Sequence, residues 1–442
     1  MQEKNTLAAQ TELLFKEAYA FHQNGDLENA IVYYRKTAQI DPYHFVIHYN
    51  MGAAQYGLKK IDDAINSFNS AIHVDPDNVM PYYDLGNIYI NQKRFVQAIL
   101  CYVKAIQIKP DFADAHNNLD VVLNTIDSPQ LSITTYKKMM DQNRNIFDVG
   151  PQRIRIETSG ACNLRCQHCP TGVDYKGTDR SIMSMETFEK ILDQIKQFKI
   201  VHDSVLYLGG EPLMNKNFPL MCQRIKEETM ITRTLFNTNA MLLNEENCKE
   251  LSKANVDKID ISIDGRSPKE NNQIRKGADY ATVSNNAKML KRFLPNVQIA
   301  IANTQIKRQG DPETPVPPDF LVNDFPDDPI ECTYAMQWPG LNFNKSSLKN
   351  ISLTPGPKKN FCKMPFTEMT VRSNGDVIVC CYDILGQHVL GNIHDSDLLS
   401  IWKGEDYKII RETLLSQDVE DLPGICKKCV NFTGHIPVIK DE

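Results

Sequence analysis

The sequence predicts three architectures in series: an all-α repeat solenoid, an α/β parallel sheet curled into a partial barrel, and a small α+β domain gathered by cysteines. Three observations predict them. Pro42, Pro76 and Pro110 recur every 34 residues. Strand-like segments alternate with helix-like ones from RIRIET at Arg153 to VQIAIANT at Val297. Most of the 12 cysteines fall into two groups, Cys162, Cys166 and Cys169, then Cys362, Cys380, Cys381, Cys426 and Cys429. A length of 442 residues suits roughly three units. The expected boundaries are 1–127 for the repeats, 148–311 for the barrel, 312–355 for a proline-rich connector and 356–436 for the last domain.

Composition narrows the function. Hydrophobic content of 42% and charged content of 24% are those of a globular chain, and the net charge of -6 supplies no basic field for nucleic acid or an anionic membrane. The N-terminal stretch lacks the apolar core of a signal peptide, and no apolar run is long enough to span a bilayer. A cytoplasmic location is expected, where clustered thiols read as metal ligands or catalysts rather than disulfides. The isolated Cys101, Cys222, Cys248 and Cys332 read as small buried hydrophobes.

In the first third, TAQIDP, AIHVDP and AIQIKP each close a repeat, and Ala30, Ala64 and Ala98 keep the same period. So do Tyr34, Phe68 and Tyr102, and the small residues Ala18, Gly52 and Gly86. A helix-turn-helix unit with small residues at the helix crossing and a proline after the second helix resembles the tetratricopeptide repeat, over about residues 11 to 112. FADAHNNLDVVLNTI, from Phe112, has the spacing of a capping helix. On the concave surface, Asn50, Tyr83, Asn87, Tyr89 and Asn118 are expected to face a peptide or protein partner.

The central segment alternates strand and helix: RIRIET, the helix from Met185 to Phe198, then VLYLGG, ITRTLFNTN, KIDISIDG and VQIAIANT with amphipathic stretches between them. Repeated βα units place their chemistry at the strand C-terminal ends. SGACNLRCQHCPTG follows the first strand. A structural zinc site takes four protein ligands. Three cysteines on one tight loop suit three irons of a [4Fe-4S] cube, which leaves the fourth iron open to a cofactor.

This CxxxCxxC loop after the first strand resembles that of the radical S-adenosylmethionine (SAM) superfamily, with His168 at a position often aromatic there. The resemblance implies a partial (β/α)6 TIM-like barrel, a cluster on Cys162, Cys166 and Cys169, and SAM bound at its open iron. It implies reductive cleavage of SAM to a 5′-deoxyadenosyl radical that abstracts hydrogen from unactivated carbon. Gly209, Gly210, Glu211 and Pro212 match the family's GGEP turn, expected to accept from the methionine ammonium. Asn239 lies in a T-N-A stretch where relatives have T-N-G. Ser262 and Arg275 stand where close relatives bind the methionine carboxylate, and Asp264, in the same SIDG stretch, is expected to belong to the cofactor site.

From Pro312 to Pro357 prolines are dense and no period persists, which reads as a linker or covering loops. CKMPFTEMTVRSNGDVIVCC then forms a hairpin around Asn374-Gly375, and LGNIHDSDLLSIWKGEDYKIIRETL leads to CKKC at Cys426. Four cysteines so gathered form a closed metal site, either a zinc ribbon or a cluster. The order resembles the SPASM or twitch extension of radical SAM enzymes, which implies an auxiliary [4Fe-4S] cluster on Cys362, Cys380, Cys426 and Cys429. Cys381 points to the opposite face of its strand if Cys380 points inward.

The expected function is a radical SAM oxidoreductase of maturase type acting on a peptide or protein recognised by the repeats, with two [4Fe-4S] clusters and an electron donor such as flavodoxin or ferredoxin. One alternative is a dehydrogenase of the same mechanism acting on a small sugar or cyclitol. Another is a non-enzymatic zinc-bearing repeat scaffold. Tyr334, Asp383 and His435 read as structural, and no residue is assigned as catalytic acid, base or radical relay.

Overall fold

The 34-residue period folds as antiparallel helix pairs because each unit hides its apolar face only against its neighbours. In the computed structural model, residues 2–110, 112–126, 129–142, 147, 150–173, 179–198, 200–339, 341, 346, 351–355 and 361–439 are described. The chain divides into two compact units, Met1–Ile146 and Phe147–Glu442.

The first unit holds α1 (Gln2–Gln23), α2 (Leu27–Ile40), α3 (Phe45–Gly57), α4 (Ile61–Val74), α5 (Val79–Asn91), α6 (Phe95–Ile108), α7 (Ala113–Thr125) and α8 (Pro129–Gln142). Small residues sit at the crossings for a steric reason. A Cβ on Gly52 would lie 2.9 Å from the Phe68 ring, and one on Gly86 would overlap the Tyr102 ring. The period also appears in the turns: His48 and His116 donate to the carbonyls of Pro42 and Pro110 (2.8 Å each), and Tyr82 donates to that of Pro76 (3.2 Å).

Two expectations for this unit change. Between the expected bounds of the repeats (to 127) and the barrel (from 148) lies a further helix, α8, which packs on α6 and extends the array. Of the residues expected to face a ligand, Tyr89 is buried with its ring under the Arg94 guanidinium (4.5 Å). Asn87 accepts from Tyr102 and Asn118 (2.8 Å each), and Asn118 also donates to Tyr83 (3.3 Å). These side chains therefore tie one repeat to the next.

The second unit is built on strands β1 (Arg153–Ile156), β2 (Asp203–Val205), β3 (Arg233–Thr238), β4 (Lys258–Ser262), β5 (Gln298–Gln305), β6 (Ile330–Tyr334), β7 (Glu368–Val371), β8 (Asp376–Ile378) and β9 (Val389–Asn392). They form one sheet in the order β9-β8-β7-β1-β2-β3-β4-β5-β6. From β1 to β6 all pairs are parallel and consecutive, joined by helices such as Met185–Ile195 and Tyr280–Phe293. This is the winding of a partial barrel. The Met185–Ile195 helix starts at Ser184, whose hydroxyl accepts the Thr187 N–H (3.0 Å), and buries Phe188, Ile191, Leu192 and Ile195 along one face.

The last two regions depart from the expectation. The connector supplies helix Asp319–Asp324 and β6, which pairs with β5 from Ile301↔Ile330 to Gln305↔Tyr334. This completes the six parallel strands that the resemblance implied; prolines hid where the sixth lies by interrupting its pattern, while the half-buried edge strand shows little apolar signal. Tyr334 is structural, donating to the Pro312 carbonyl (2.9 Å).

The cysteine hairpin also does not stand apart from the barrel. β7 joins the sheet parallel to β1, from Arg153↔Glu368 to Ile156↔Val371, and β7, β8 and β9 continue it antiparallel. The final strand, His435–Ile439, pairs with Ile351–Pro355 and with Lys307–Arg308. Beneath the hairpin, buried Arg411 stacks on Phe147, Trp402 and Tyr407 at 3.8, 4.2 and 4.7 Å and donates to the carbonyls of Pro365 and Trp402 (2.8 Å each).

Candidate active site

The three-cysteine loop leaves β1 and folds back under the strand ends. Its backbone forms a two-residue antiparallel ladder, Arg165↔Lys276 and Cys166↔Arg275, and the Gln167 N–H donates to the Ile274 carbonyl (2.8 Å). The Arg275 backbone is thereby fixed beside Cys166. Turns from Cys166 to Cys169 and from Cys169 to Gly172 tighten the loop, and a Cβ on Gly172 would overlap the Cys166 backbone.

The GGEP turn fits against this loop. A Cβ on Gly210 would overlap the carbonyls of Ser159 and Ala161, and the Glu211 N–H donates to the Ala161 carbonyl (2.8 Å). This glycine therefore serves close approach between two protein backbones. Gly209 donates its N–H to Glu157 Oε1 (3.1 Å), while Glu157 Oε2 accepts from the Ser373 N–H and hydroxyl (3.3 and 3.2 Å). A buried carboxylate at the end of β1 thus links the turn to the cysteine hairpin.

Around one cavity of about 270 Å³ stand all three loop cysteines, Gly209, Gly210, Glu211, Asn239, Ser262, Asp264 and Arg275. Pro212 does not line it; it is buried at the start of the short helix Pro212–Met214. Glu211 is already engaged, accepting from Thr238 Oγ1 (2.7 Å) and from the N–H groups of Asn239 (2.8 Å) and Leu213 (3.2 Å). Burial pushes its pKa up. Asn239 donates to Asn163 Oδ1 (2.8 Å), and its Nδ2 lies 3.9 Å from Cys162 Sγ. Ala240, the last residue of the T-N-A stretch, adopts φ +59°, the left-handed region.

Asp264 orients its neighbours. Its Oδ2 accepts from Arg275 Nη1 (2.9 Å) and lies 3.6 Å from His168 Nε2, while Oδ1 accepts the Thr304 N–H (3.2 Å). Burial opposes the charge on Arg275, but Cys166 and Asp264 more than offset it, so its pKa is raised. Burial holds that of His168 down. Burial also pushes the three thiols up, Cys166 to about 12.

Three buried polar atoms around this cavity have no protein partner: His168 Nδ1, Asn237 Oδ1 and Arg275 Nε. With the three thiols, they fit a cluster plus a polar cofactor bearing a carboxylate. Asn237, Tyr207, Thr304 and Trp338 line the cavity but were not singled out from the sequence. Asn237 had a signal, because it belongs to the same N-T-N stretch as Asn239 at the C-terminal end of its strand.

A second, closed cavity brings together Cys362, Cys380, Cys426 and Cys429, with Tyr382 and Phe432 among its walls. Cys426 belongs to helix Gly424–Lys427, and Cys429 begins helix Val430–Thr433. Cys381 faces away, packed with Leu208, Ile378, Ile384 and Trp338. Four thiols around a closed space fit a group ligated wholly by cysteine. Among the described residues, no three His, Cys, Asp or Glu side chains are arranged to hold a single metal ion. Asp383 accepts the N–H groups of Gln387 and His388 (2.8 Å each), and His435 begins the last strand; neither lines a cysteine cavity. Among the described residues no helix is long and apolar enough to cross a membrane.

Comparison with known proteins matches separate parts of this chain to known domains. The radical SAM superfamily model matches residues 156–303, and that of the SPASM iron-sulfur cluster-binding domain matches 362–430. Tetratricopeptide repeat models match 11–44, 56–93 and 86–123. Among curated relatives, GTP 3',8-cyclase of Limosilactobacillus fermentum is 30% identical over 149 residues, 33% of this chain and 42% of the relative. That of Desulforamulus reducens is 32% identical over 127 residues, 28% of this chain and 37% of the relative. The chain thus spans about two fifths of the length of these relatives.

Among solved structures, BtrN in complex with AdoMet and 2-DOIA is 18% identical, covering 63% of this chain and 92% of that one at a TM-score of 0.44. Streptococcus suis SuiB bound to precursor peptide SuiA is also 18% identical, covering 64% and 71% at a TM-score of 0.45. By its domains, in order from the N-terminus, this chain joins tetratricopeptide repeats to a radical SAM superfamily domain and a SPASM iron-sulfur cluster-binding domain.

Proposed function

We propose that this chain is a radical SAM enzyme that abstracts hydrogen from a peptide or protein and completes a net oxidation with the help of an auxiliary cluster. The convergence of Cys162, Cys166 and Cys169 with Ser262, Asn237 and Arg275 on one cavity at the strand ends carries the reading. When bound, the cluster and SAM together supply a 5′-deoxyadenosyl radical that takes hydrogen from unactivated carbon.

The chain's own groups bind and orient. Cys162, Cys166 and Cys169 hold the first cluster. Arg275, its guanidinium steadied by Asp264, would hold the methionine carboxylate through its unpaired Nε, with Ser262 and Asn237 lining the same cavity. Glu211 ties the GGEP turn to the end of β3 through Thr238 and Asn239, which leaves the carbonyls of the Gly209-Gly210 turn to receive the methionine ammonium. Cys362, Cys380, Cys426 and Cys429 hold the auxiliary cluster, whose full cysteine ligation suits electron transfer. The tetratricopeptide repeats support a polypeptide substrate, and a flavodoxin or ferredoxin supplies the reducing electron.

Anaerobic loading with iron and sulfide tests the first part: about eight irons per chain are expected, four for each cube. Zinc without iron would overturn the reading. The loaded chain, reduced and given SAM, is then incubated separately with the macromolecular and small-molecule fractions of a deuterium-labelled extract. Deuterium in 5′-deoxyadenosine from the macromolecular fraction is expected. Transfer from small molecules alone would instead favour a metabolite dehydrogenase.

A further inference from the structure

The two cysteine cavities share a wall. Trp338, in the segment after β6, lines the three-cysteine cavity, and Tyr382 lines the four-cysteine cavity. Their rings meet edge to face, with centroids 5.6 Å apart and planes at 88°. Pro339, the next residue after Trp338, already belongs to the second cavity. Cys381, between Cys380 and Tyr382 in the chain, packs with Trp338, Leu208 and Ile384. Those three all line the first cavity. At this point, the touching pair of aromatic rings joins the lining of one space to that of the other.

We propose that Trp338 and Tyr382 form a bridge that carries single electrons between the contents of the two cavities. The proposal rests on the reading that both cavities hold [4Fe-4S] clusters. Indole and phenol are the side chains whose π-systems most readily take part in one-electron transfer, and edge-to-face packing holds these two in fixed contact. In the reductive direction the auxiliary cluster passes from the 1+ to the 2+ state as the SAM-binding cluster passes from 2+ to 1+, with no bond made or broken. In the oxidative direction the substrate carbon radical gives one electron to the auxiliary cluster, which passes from 2+ to 1+; the adjacent X–H bond breaks, its proton leaving to solvent and its electron pair forming a double bond to that carbon. Neither ring binds iron. They act through the clusters, as positioning residues for electron transfer.

The test uses the full chain, loaded anaerobically, reduced with dithionite, desalted and mixed with SAM. Electron paramagnetic resonance follows the auxiliary [4Fe-4S]1+ signal while 5′-deoxyadenosine is counted. The first equivalent uses the electron on the SAM-binding cluster. The second requires an electron from the auxiliary cluster, so its appearance tracks the loss of the auxiliary signal. In Trp338→Leu and Tyr382→Leu the ratio of second-phase to first-phase rate is expected to fall by at least about tenfold. Trp338→Phe and Tyr382→Phe, which keep a ring in place, are expected to hold it within about threefold.

The two leucine variants break the bridge from opposite ends, so one that fails to fold leaves the other to decide. An unchanged ratio in a leucine variant that retains both cluster signals would overturn the bridge alone. A wild-type chain that binds only about four irons would overturn the two-cluster reading, and the bridge with it.

Discussion

Ala240 is the residue where sequence and conformation disagree most openly. Its φ of +59° is one that glycine adopts freely, whereas a buried alanine is strained there. Ala240→Gly is expected to raise stability by about 0.5–1 kcal/mol, the strain relieved less the added freedom of the unfolded chain, as read from denaturant midpoints. Asp203 offers a pH test. Its carboxylate, almost fully buried, pairs with Arg153 (2.6 Å) and Arg233 (2.7 Å). Burial raises its pKa, but hydrogen bonds from Arg233 and Arg153 prevail, and it lies below the usual range. Its contribution is therefore full above the unfolded value of about 4 and lost as pH falls through the lower folded value. Asp203→Asn is expected to destabilise at pH 7 by about 2 kcal/mol and to flatten the acid limb of a stability-versus-pH curve.

Among the elements, contact between the cysteine loop and the GGEP turn sets the first cavity. Gly210→Ala pushes a methyl group into two backbone carbonyls, which cannot swing aside as a flexible side chain can. The turn must lift off the loop. Iron per loaded chain is expected to fall by about half, with the auxiliary signal kept, because one cube of four irons loses its support. Full iron content together with unchanged SAM cleavage would show that the contact is dispensable. The GGEP glycines were legible as a motif, but their role was not. The sequence suggested approach to a ligand, whereas Gly210 admits the carbonyls of Ser159 and Ala161, a neighbour that only the folded loop brings there.

For the whole molecule, the pairing of β7 with β1 makes the barrel and the cysteine hairpin one body. Arg155 on β1 and Glu368 on β7 are buried together (3.0 Å), and removing β7 would leave the arginine charge unpaired inside the protein. Truncation after residue 355 is therefore expected to give an insoluble or unfolded barrel. The 147–442 fragment, which keeps the full sheet and its own core, is expected to melt cooperatively by circular dichroism. A soluble 148–355 fragment with native-like melting would refute this account of the sheet.

The sequence by itself determined the repeats, the order of the βα units through β5, and both cysteine sets, because each is a local pattern. A 34-residue period, an apolar spacing or a thiol triplet is complete within a short stretch of chain. Only the tertiary structure decided which polar atoms on the cavity wall stay unpartnered, which faces Cys380 and Cys381 take, and that Trp338 meets Tyr382. Those are pairings between distant segments. The sixth strand was lost for the same reason: its partner, β5, defines it as a strand, while its own sequence is broken by prolines and half exposed. Local patterns are written in spacing, but a cavity is written in register, and register between distant strands follows from packing the whole sheet.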